Sequence, residues 1–310
     1  MSNQSELNKL VNVHLGKAGD GTTVKPYVSP TAVDPSLLVA VPRTLNRVDY
    51  DIDSNNLPFV GYDAWNGYEF STLTKNGFPI SGWIKFVYPS NSLNIVESKS
   101  VKLYLNSFNM AVTCFNLDNF SDLENQIAGH ISDAVKAKAE VQIRVGDIDT
   151  VRPIRGDFIS LEEHCDVEGM KFTEYKQSKD ILVERSVFGK HKEFWRSYSL
   201  RSNCRVTNQP DWGDVYIYIK HNTVNTLTPE SILKYIISMR RENHFHEEIT
   251  EVIYKNILDK ISPEELFVAC LYTRRGGIDI NPVRASSDKL LEKFAPIIKV
   301  NNFCTKTARQ

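Results

Sequence analysis

One cysteine of the chain, Cys204, lies in a polar segment and is followed closely by an aspartate. Pro210 prevents one continuous helix from containing Cys204 and Asp211, so we expect both side chains on a loop that enters a strand. A thiolate is a strong nucleophile and a neighbouring carboxylic acid can deliver a proton, so the pair could add to a polarised carbon atom. The same residues also fit a surface thiol beside an ordinary turn, since Asp211-Trp212-Gly213 is typical turn sequence.

A histidine and glutamate cluster, His244-Phe245-His246-Glu247-Glu248, lies at the predicted start of a helix. A zinc protease would need a second histidine four residues after His246 on the same helical face, and Thr250 occupies that place. The metal hypothesis therefore fails. The alternative interpretation takes Asn243 as the N-cap, with the two glutamates complementing the helix dipole.

A third candidate group, Glu97-Ser98-Lys99-Ser100, lies at the start of another predicted helix. Glu97 could simply complement the helix dipole, or, if buried, it could accept two parallel N–H bonds from the amide-and-amine edge of a guanine-like base.

A fourth group, Arg274-Arg275-Gly276-Gly277, could join Lys99 in holding a phosphate-bearing cofactor, or it could be a solvated turn. No Gly-x-Gly-x-x-Gly motif occurs, so a nucleotide would be bound outside a Rossmann fold.

The composition is that of an ordinary globular protein. Of the 310 residues, 37 are Lys or Arg and 38 are Asp or Glu, which gives a formal net charge of −1. This balance argues against a protein that coats nucleic acid or an anionic membrane, and no apolar run approaches the roughly 20 residues of a membrane-spanning helix. No secretory signal is visible, so we expect a cytoplasmic protein whose 5 cysteines are free thiols. Their spacing fits neither a zinc ribbon nor a thioredoxin-type site, so no metal is expected.

One order of elements, strand, helix, helix, strand, is predicted twice. In the first half the pattern predicts strands at residues 83–88 and 141–145, and between them a helix with a stripe from Val101 and a helix with a capping box of Ser121 and Glu124. In the second half it predicts strands at 215–219 and 266–273, a helix opened by Thr228-Pro229, and a helix with a stripe from Phe245 to Ile257. The pattern predicts an α+β fold of two similar modules, each an antiparallel sheet with helices on one face.

The domain boundary is predicted in the polar, irregular stretch between the two halves. We therefore divide the chain into an N-terminal extension (1–40), a first module (41–150), a connecting region (151–185), a second module (186–290) and a C-terminal tail (291–310).

Taken together, the motifs are similar to those of one known family. The segments that carry the resemblance are, in order, ESKSVKLYLNSFN, SNCRVTNQPDWG, YIISMRRENHFHEE and YTRRGGIDINPVR. They resemble the longer, two-module form of the QueF family, which comprises NADPH-dependent 7-cyano-7-deazaguanine reductases of the queuosine pathway. Shorter matches are residues 14–17, 41–43, 46–47 and 65–69, and the resemblance spans about residues 14 to 285.

The resemblance implies two tunnelling-fold (T-fold) modules and the reduction of a nitrile to a primary amine, with two NADPH molecules as hydride donors. It assigns Cys204 as the nucleophile that forms a covalent thioimide and Asp211 as the proton donor to nitrogen. The substrate-binding residues that it implies are Val96, Glu97, Ser98, His246 and Glu247. The NADPH-binding residues that it implies are Ser98, Lys99, Arg275 and Gly276. The expected partner is a small deazapurine, with no direct contact to nucleic acid or membrane, and we expect a homodimer.

Three positions depart from the commonest pattern of the family. Arg205 stands where proline is common, Asn208 where glycine is common, and Ile249 where cysteine is frequent. Two other functions stay open. A QueF-like amidinotransferase would use the same cysteine and aspartate on a nitrile-bearing base in tRNA, but it would have no use for Lys99 and Arg275. A catalytically silent purine-binding module would not need the intact set of candidate side chains.

Overall fold

The computed structural model describes residues 30–114, 119–187, 189, 191–221, 225–308 and 310. The predicted N-terminal extension therefore lies mostly outside the described residues, and the 14–17 segment lies wholly outside them. The strands are β1 Ala40–Pro42, β2 Val60–Thr74, β3 Pro79–Pro89, β4 Asn94–Val96, β5 Val112–Cys114, β6 Glu140–Arg144, β7 Ile159–Ser160, β8 Glu184–Ser186, β9 His191–Cys204, β10 Pro210–His221, β11 Asn225–Leu227, β12 Asn243–His244, β13 Glu265–Tyr272 and β14 Ile278–Ala285. The α-helices are α1 Thr44–Arg47, α2 Ser98–Asn106, α3 Ser121–Val135, α4 Leu161–His164, α5 Pro229–Ser238, α6 His246–Ile261 and α7 Asp288–Phe294. Short 3-10 helices occur at Pro35–Leu37, Val48–Tyr50, Lys179–Ile181, Met239–Arg241 and Pro296–Ile298.

The strand, helix, helix, strand order predicted for each half is confirmed. It corresponds to β3, α2, α3 and β6 in the first half and to β10, α5, α6 and β13 in the second. The predicted stripe of α3 is buried along its whole length, and α5 begins as expected, because the Thr228 side chain accepts the backbone N–H of Ser231.

Two of the predicted helix starts are wrong. Ser121 provides no cap to α3, and the Glu124 carboxylate instead accepts the backbone N–H of Ile143 on β6 at 2.7 Å. Asn243 is not the N-cap of α6, because it lies in the short strand β12, and Phe245 occupies the cap position. In both places a contact with a strand replaces the local contact that the sequence favours.

One large sheet joins the two halves of the chain. Its strand order is β12-β9-β10-β13-β14-β2-β3-β6, with β5 paired to β2 and β7 paired to β9. The joint is the antiparallel ladder between β14 and β2, which runs from the pair Ile278 and Gly67 to the pair Ala285 and Val60. Two smaller sheets pair β1 with β4 and β8 with β11. The halves therefore share one backbone hydrogen-bond network, and side chains from both halves can meet at the joint.

Helices cover both faces of the large sheet. The helices α2, α3, α5 and α6 pack on one face, where Val215 and Val268 belong to the core. The prediction of helices on one face is incomplete, because α7 covers the opposite face with Leu290 and Phe294 against Phe267. The segment predicted as a C-terminal tail therefore contributes to the core. No helix within the described ranges has the length and apolarity needed to cross a membrane.

Candidate active site at the joint between the halves

A cavity of about 350 Å³ lies where the two halves meet. This volume is within the usual range for a small-molecule site. All the site residues predicted from the sequence line it, namely Val96, Glu97, Ser98, Lys99, Cys204, Asp211, His246, Glu247, Arg275 and Gly276. Trp65 of β2 and Ile278 and Ile280 of β14 add an apolar wall. The structure thus brings together residues that are far apart in the sequence.

Cys204 is the last residue of β9, and its side chain is half-buried, whereas the other four cysteines are buried. Its backbone N–H donates to the Gln209 carbonyl at 2.8 Å, and its carbonyl accepts the Asn208 N–H at 3.0 Å. Asn208 has a φ of 55°, in the left-handed region where glycine is favoured and asparagine is tolerated. Cys204 thus lies at a strand end before a tight turn, and not on the loop that the sequence predicts.

Asp211 is the second residue of β10, and its buried carboxylate faces an arginine and a histidine. Arg275 donates from Nη1 to Oδ1, and the Nε2 atom of His246 lies 3.3 Å from Oδ2. Burial alone would raise the pKa of Asp211, but the hydrogen bond and charge of His246 and the charge of Arg275 outweigh it and lower the pKa. Asp211 is therefore ionised at neutral pH, and Arg275, although it directly precedes the turn at Gly276 and Gly277, is paired with a buried carboxylate.

His246 is the first residue of α6, and its ring orientation is fixed by stacking. The imidazole lies on the ring of Tyr272, with centroids 3.7 Å apart and planes 7° apart. Its Nε2 atom faces Asp211, while its buried Nδ1 atom has no hydrogen-bond partner among the described residues. The stacked ring can therefore exchange a proton with Asp211 and still offer Nδ1 to a ligand.

Two buried carboxyl groups enter the cavity from opposite halves. Glu97 is 2% exposed, and one of its oxygens accepts the Ser100 N–H at 2.8 Å, which makes it the N-cap of α2. Glu247 is 3% exposed, and its Oε1 atom has no partner among the described residues. Burial raises the pKa of both groups, that of Glu247 to about 8. Capping uses one oxygen of Glu97, so acceptor capacity remains for a ligand with adjacent N–H donors.

We expect Glu247→Gln to be more stable than the wild type, by an amount that grows with pH. Burial raises the pKa of Glu247 from its ordinary 4.5 to about 8, so the folded state holds a proton that the unfolded state releases. This contribution to stability is complete below pH 4.5 and is lost as the pH rises toward 8. Thermal melts between about pH 5 and pH 8 should show the Tm of the variant rising relative to wild type. A Tm difference that stays constant over this range would contradict the proposed burial of a titrating carboxyl.

A buried ion-pair network lies next to Glu247 on α6. Its centre is Glu251, one helical turn after Glu247, which pairs with Arg47 at 2.7 Å and with Arg284 at 2.9 Å. Arg284 also pairs with Asp63 at 2.8 Å. Burial would raise the pKa of Glu251, but the charge of Arg284 and the hydrogen bond from Arg47 lower it to about 2. The network joins both halves, and local sequence patterns do not reveal it because two of its pairs, Arg47–Glu251 and Asp63–Arg284, join residues more than 200 positions apart.

Cationic side chains surround one end of the cavity. Lys99 is exposed at its edge, and Lys102, which the sequence analysis did not assign, lies one turn further along α2 and pairs with Glu69 at 3.2 Å. Gly276 has a φ of 57°, and a Cβ atom there would lie 3.1 Å from the Lys102 side chain. Three nearby cations, Arg275 among them, and a glycine that permits close approach suit the phosphates of a dinucleotide.

Two protein-family models match the chain. Residues 29–143 match the model described as nitrile reductase, 7-cyano-7-deazaguanine-reductase N-term. Residues 210–290 match the model described as QueF-like protein. Between them the two models cover more than half of the chain and include every candidate site residue except Cys204.

Proteins similar to the chain include two bacterial NADPH-dependent 7-cyano-7-deazaguanine reductases. The one from Rickettsia massiliae is 42% identical over 260 residues, which cover 83% of this chain and 89% of that protein. The one from Colwellia psychrerythraea is 36% identical over 293 residues, which cover 92% of this chain and 96% of that protein. Among solved structures, the archaeosine synthase QueF-Like in the apo form matches with a TM-score of 0.28 and 17% identity, over 32% of this chain and 94% of that one.

Proposed function

The chain belongs to the QueF family of nitrile reductases, and we propose that it reduces the nitrile of 7-cyano-7-deazaguanine to the primary amine with NADPH. The observation that carries the proposal is the shared cavity, in which the half-buried Cys204 thiol meets Asp211 and His246 from one half and Glu97 from the other. A nitrile is a weak electrophile, so a nucleophile and a proton carrier held in place supply what solution lacks.

In the first step the Cys204 sulfur forms a bond to the nitrile carbon, and one π bond of the nitrile breaks. The thiol proton passes to the Asp211 carboxylate, which returns it to the nitrile nitrogen, and the product is a neutral thioimide. The lowered pKa keeps the Asp211 carboxylate ionised, so it is in the form that can receive the thiol proton before passing it to nitrogen, and the His246 ring lies beside it with Nε2 3.3 Å from Oδ2. In this proposal Asp211 first accepts a proton and then donates it, whereas the family resemblance assigns it only the donation.

NADPH supplies hydride to the carbon of the substrate when it is bound. We assign its binding to Ser98, Lys99, Arg275 and Gly276, and we add Lys102 to this set. Lys99 and Lys102 lie one turn apart on α2, and the Gly276 backbone lies beside Lys102, so the cations can contact phosphate oxygens together. Enclosure of the reacting carbon between the two halves would keep water away from the partly reduced substrate.

Glu97 and Glu247 are assigned to the deazaguanine edge, with Val96 and Ser98 beside them. We expect Glu97→Gln to weaken nitrile binding by about 10- to 100-fold, because an N–H donor of the base would then face the amide NH2 and lose its acceptor, which costs about 1–3 kcal/mol. Glutamine keeps the oxygen that caps α2, so the fold should be preserved. Calorimetric titration in a Cys204→Ala background measures the Kd without covalent reaction. Glu140→Gln, which replaces an exposed glutamate of the same half, is the control, and an equal effect of the two changes would contradict the assignment.

We further infer that each half is a T-fold module and that the protein is a cytoplasmic homodimer. Family membership and the repeated strand, helix, helix, strand order support the T-fold assignment. The strand β6 ends the described path of the large sheet and offers an edge on which a second copy could pair.

The test is product analysis after incubation with the nitrile base and NADPH. We expect the aminomethyl product and consumption of two NADPH molecules per nitrile. A covalent adduct without NADPH consumption would instead support the amidinotransferase, whose product from ammonia is an amidine. If no adduct forms and no NADPH is consumed, the result would support a catalytically silent purine-binding protein.

A further inference from the structure

Arg205, the residue directly after the candidate nucleophile, is buried within an otherwise accessible turn. It is 8% exposed, whereas residues 206–209 are half-buried or exposed. A buried guanidinium is costly unless it is paired, and Nη1 of Arg205 donates to both carboxylate oxygens of Glu248, at 3.0 and 2.9 Å. The turn after Cys204 is therefore attached to a second element by a buried ion pair.

That second element is the first turn of α6, which also contains His246 and Glu247. Glu248 follows these two residues directly and accepts the backbone N–H of Phe245 at 3.3 Å, closing the start of the helix. The Arg205–Glu248 pair thus connects the segment that holds the nucleophile to the segment that holds two of the other candidate site residues.

The His244 side chain is a second cation in contact with the Glu248 carboxylate. It lies on β12, opposite Cys204 in the parallel pairing with β9, and its Nδ1 atom is 2.8 Å from Glu248. Its Nε2 atom is 3.0 Å from Glu242 and 2.6 Å from the hydroxyl of Tyr50. Burial would lower the pKa of His244, but the hydrogen bonds to Glu242 and Glu248 raise it to about 9. Glu248 is therefore held between two cations, in a place set by residues of both halves.

We propose that Arg205 is a positioning residue for the nucleophile. Through Glu248 it holds the turn after Cys204 against the start of α6, so that the thiol keeps a fixed geometry relative to the Asp211–His246 pair. The inference rests on the proposed function, in which Cys204 forms a covalent adduct. It also gives a role to an arginine that departs from the common family pattern, because proline at this position could not form the ion pair.

The test separates the rate of bond formation from substrate binding. Stopped-flow absorbance with saturating nitrile and no NADPH measures thioimide formation, and titration in the Cys204→Ala background measures the Kd. We expect Arg205→Met to slow adduct formation by about 10- to 100-fold, since a displacement of about 1 Å can have this cost. The Kd should change by less than about threefold, and Arg205→Lys should restore part of the rate because its ammonium retains the charge.

Arg185→Met is the matched control. It removes an Arg–Glu pair of the same half, between Arg185 and Glu193 at 2.9 Å, outside the cavity, and it should not change the rate of adduct formation.

Adduct formation by Arg205→Met at the wild-type rate would overturn the inference. A rise in Kd that accounts for the lost rate would also overturn it. The buried Nε of Arg205 has no hydrogen-bond partner within the part of the chain that the structure describes, so it could instead donate to the substrate. If Arg205→Met does not fold, Glu248→Gln decides, because it removes the charge of the same pair from the other side, and a wild-type rate of adduct formation in that variant overturns the inference. A wild-type protein that forms no adduct would refute the proposed function itself.

Discussion

Replacing Cys204 by alanine should abolish nitrile reduction while the nitrile still binds. Among the described residues that line the cavity, Cys204 alone contributes a sulfur atom, and without it no thioimide can form. NADPH oxidation, followed by its absorbance in the presence of nitrile, should fall to the background rate. The Kd for the nitrile should change little, because the predicted contacts to the base come from Glu97 and Glu247.

Cys165→Ala is the control for this prediction. It also removes a thiol, but Cys165, from the connecting region, is packed into the core of the second half and does not line the cavity. NADPH oxidation should continue in this variant. Nitrile-dependent oxidation that persists in Cys204→Ala would remove Cys204 from the mechanism.

Asp211→Asn should reduce the rate of adduct formation by about 100- to 10,000-fold, the usual contribution of a positioned acid–base group. The amide cannot accept the thiol proton or return it to nitrogen, although it keeps nearly the same shape beside His246 and Arg275. Stopped-flow mixing with saturating nitrile measures this rate directly.

The matched control is Asp214→Asn, on the same strand β10 but outside the cavity lining, and its rate should equal that of the wild type. If Asp211→Asn forms the adduct as fast as the wild type, another group must carry the proton. His246, which is in contact with Asp211, would then be the first residue to replace.

The sequence predicts the elements with strong hydrophobic periodicity. Helix α3 buries every fourth residue, from Leu123 to Val135, and the alternate residues Val215, Ile217 and Ile219 of β10 share one core, so the hydrophobic period locates both elements. The site residues could be assembled from the motifs because each motif is short and local. Their roles in catalysis stay predictions that the experiments above test.

The strands β2, β9 and β14 were not predicted, and their compositions explain this. Strand β14 contains Asp279, Asn281, Pro282 and Arg284, which in the sequence look like a turn or loop. In the fold all of them are buried, and their polar groups find partners on β2 and α6, such as Asp63 for Arg284. Such partners are distant in sequence, so local pattern cannot reveal that the segment is a strand at the centre of the sheet.

The local sequence pattern also does not reveal that Cys204 lies at the end of a strand. Pro210 correctly excludes a helix, but pattern alone cannot say that β9 continues to Cys204 and that β10 begins at Pro210. Pairing of β12 beside Cys204 fixes the strand end, and this parallel contact joins residues about 40 positions apart.

Peptide mapping by mass spectrometry, after incubation with the cyano base in the absence of NADPH, tests the central claim most directly. We expect one added substrate mass on the peptide that contains Cys204, and loss of that mass when NADPH is added, with release of the amine. A modification on any other residue, or reduction of the nitrile with no adduct at Cys204, would contradict the account.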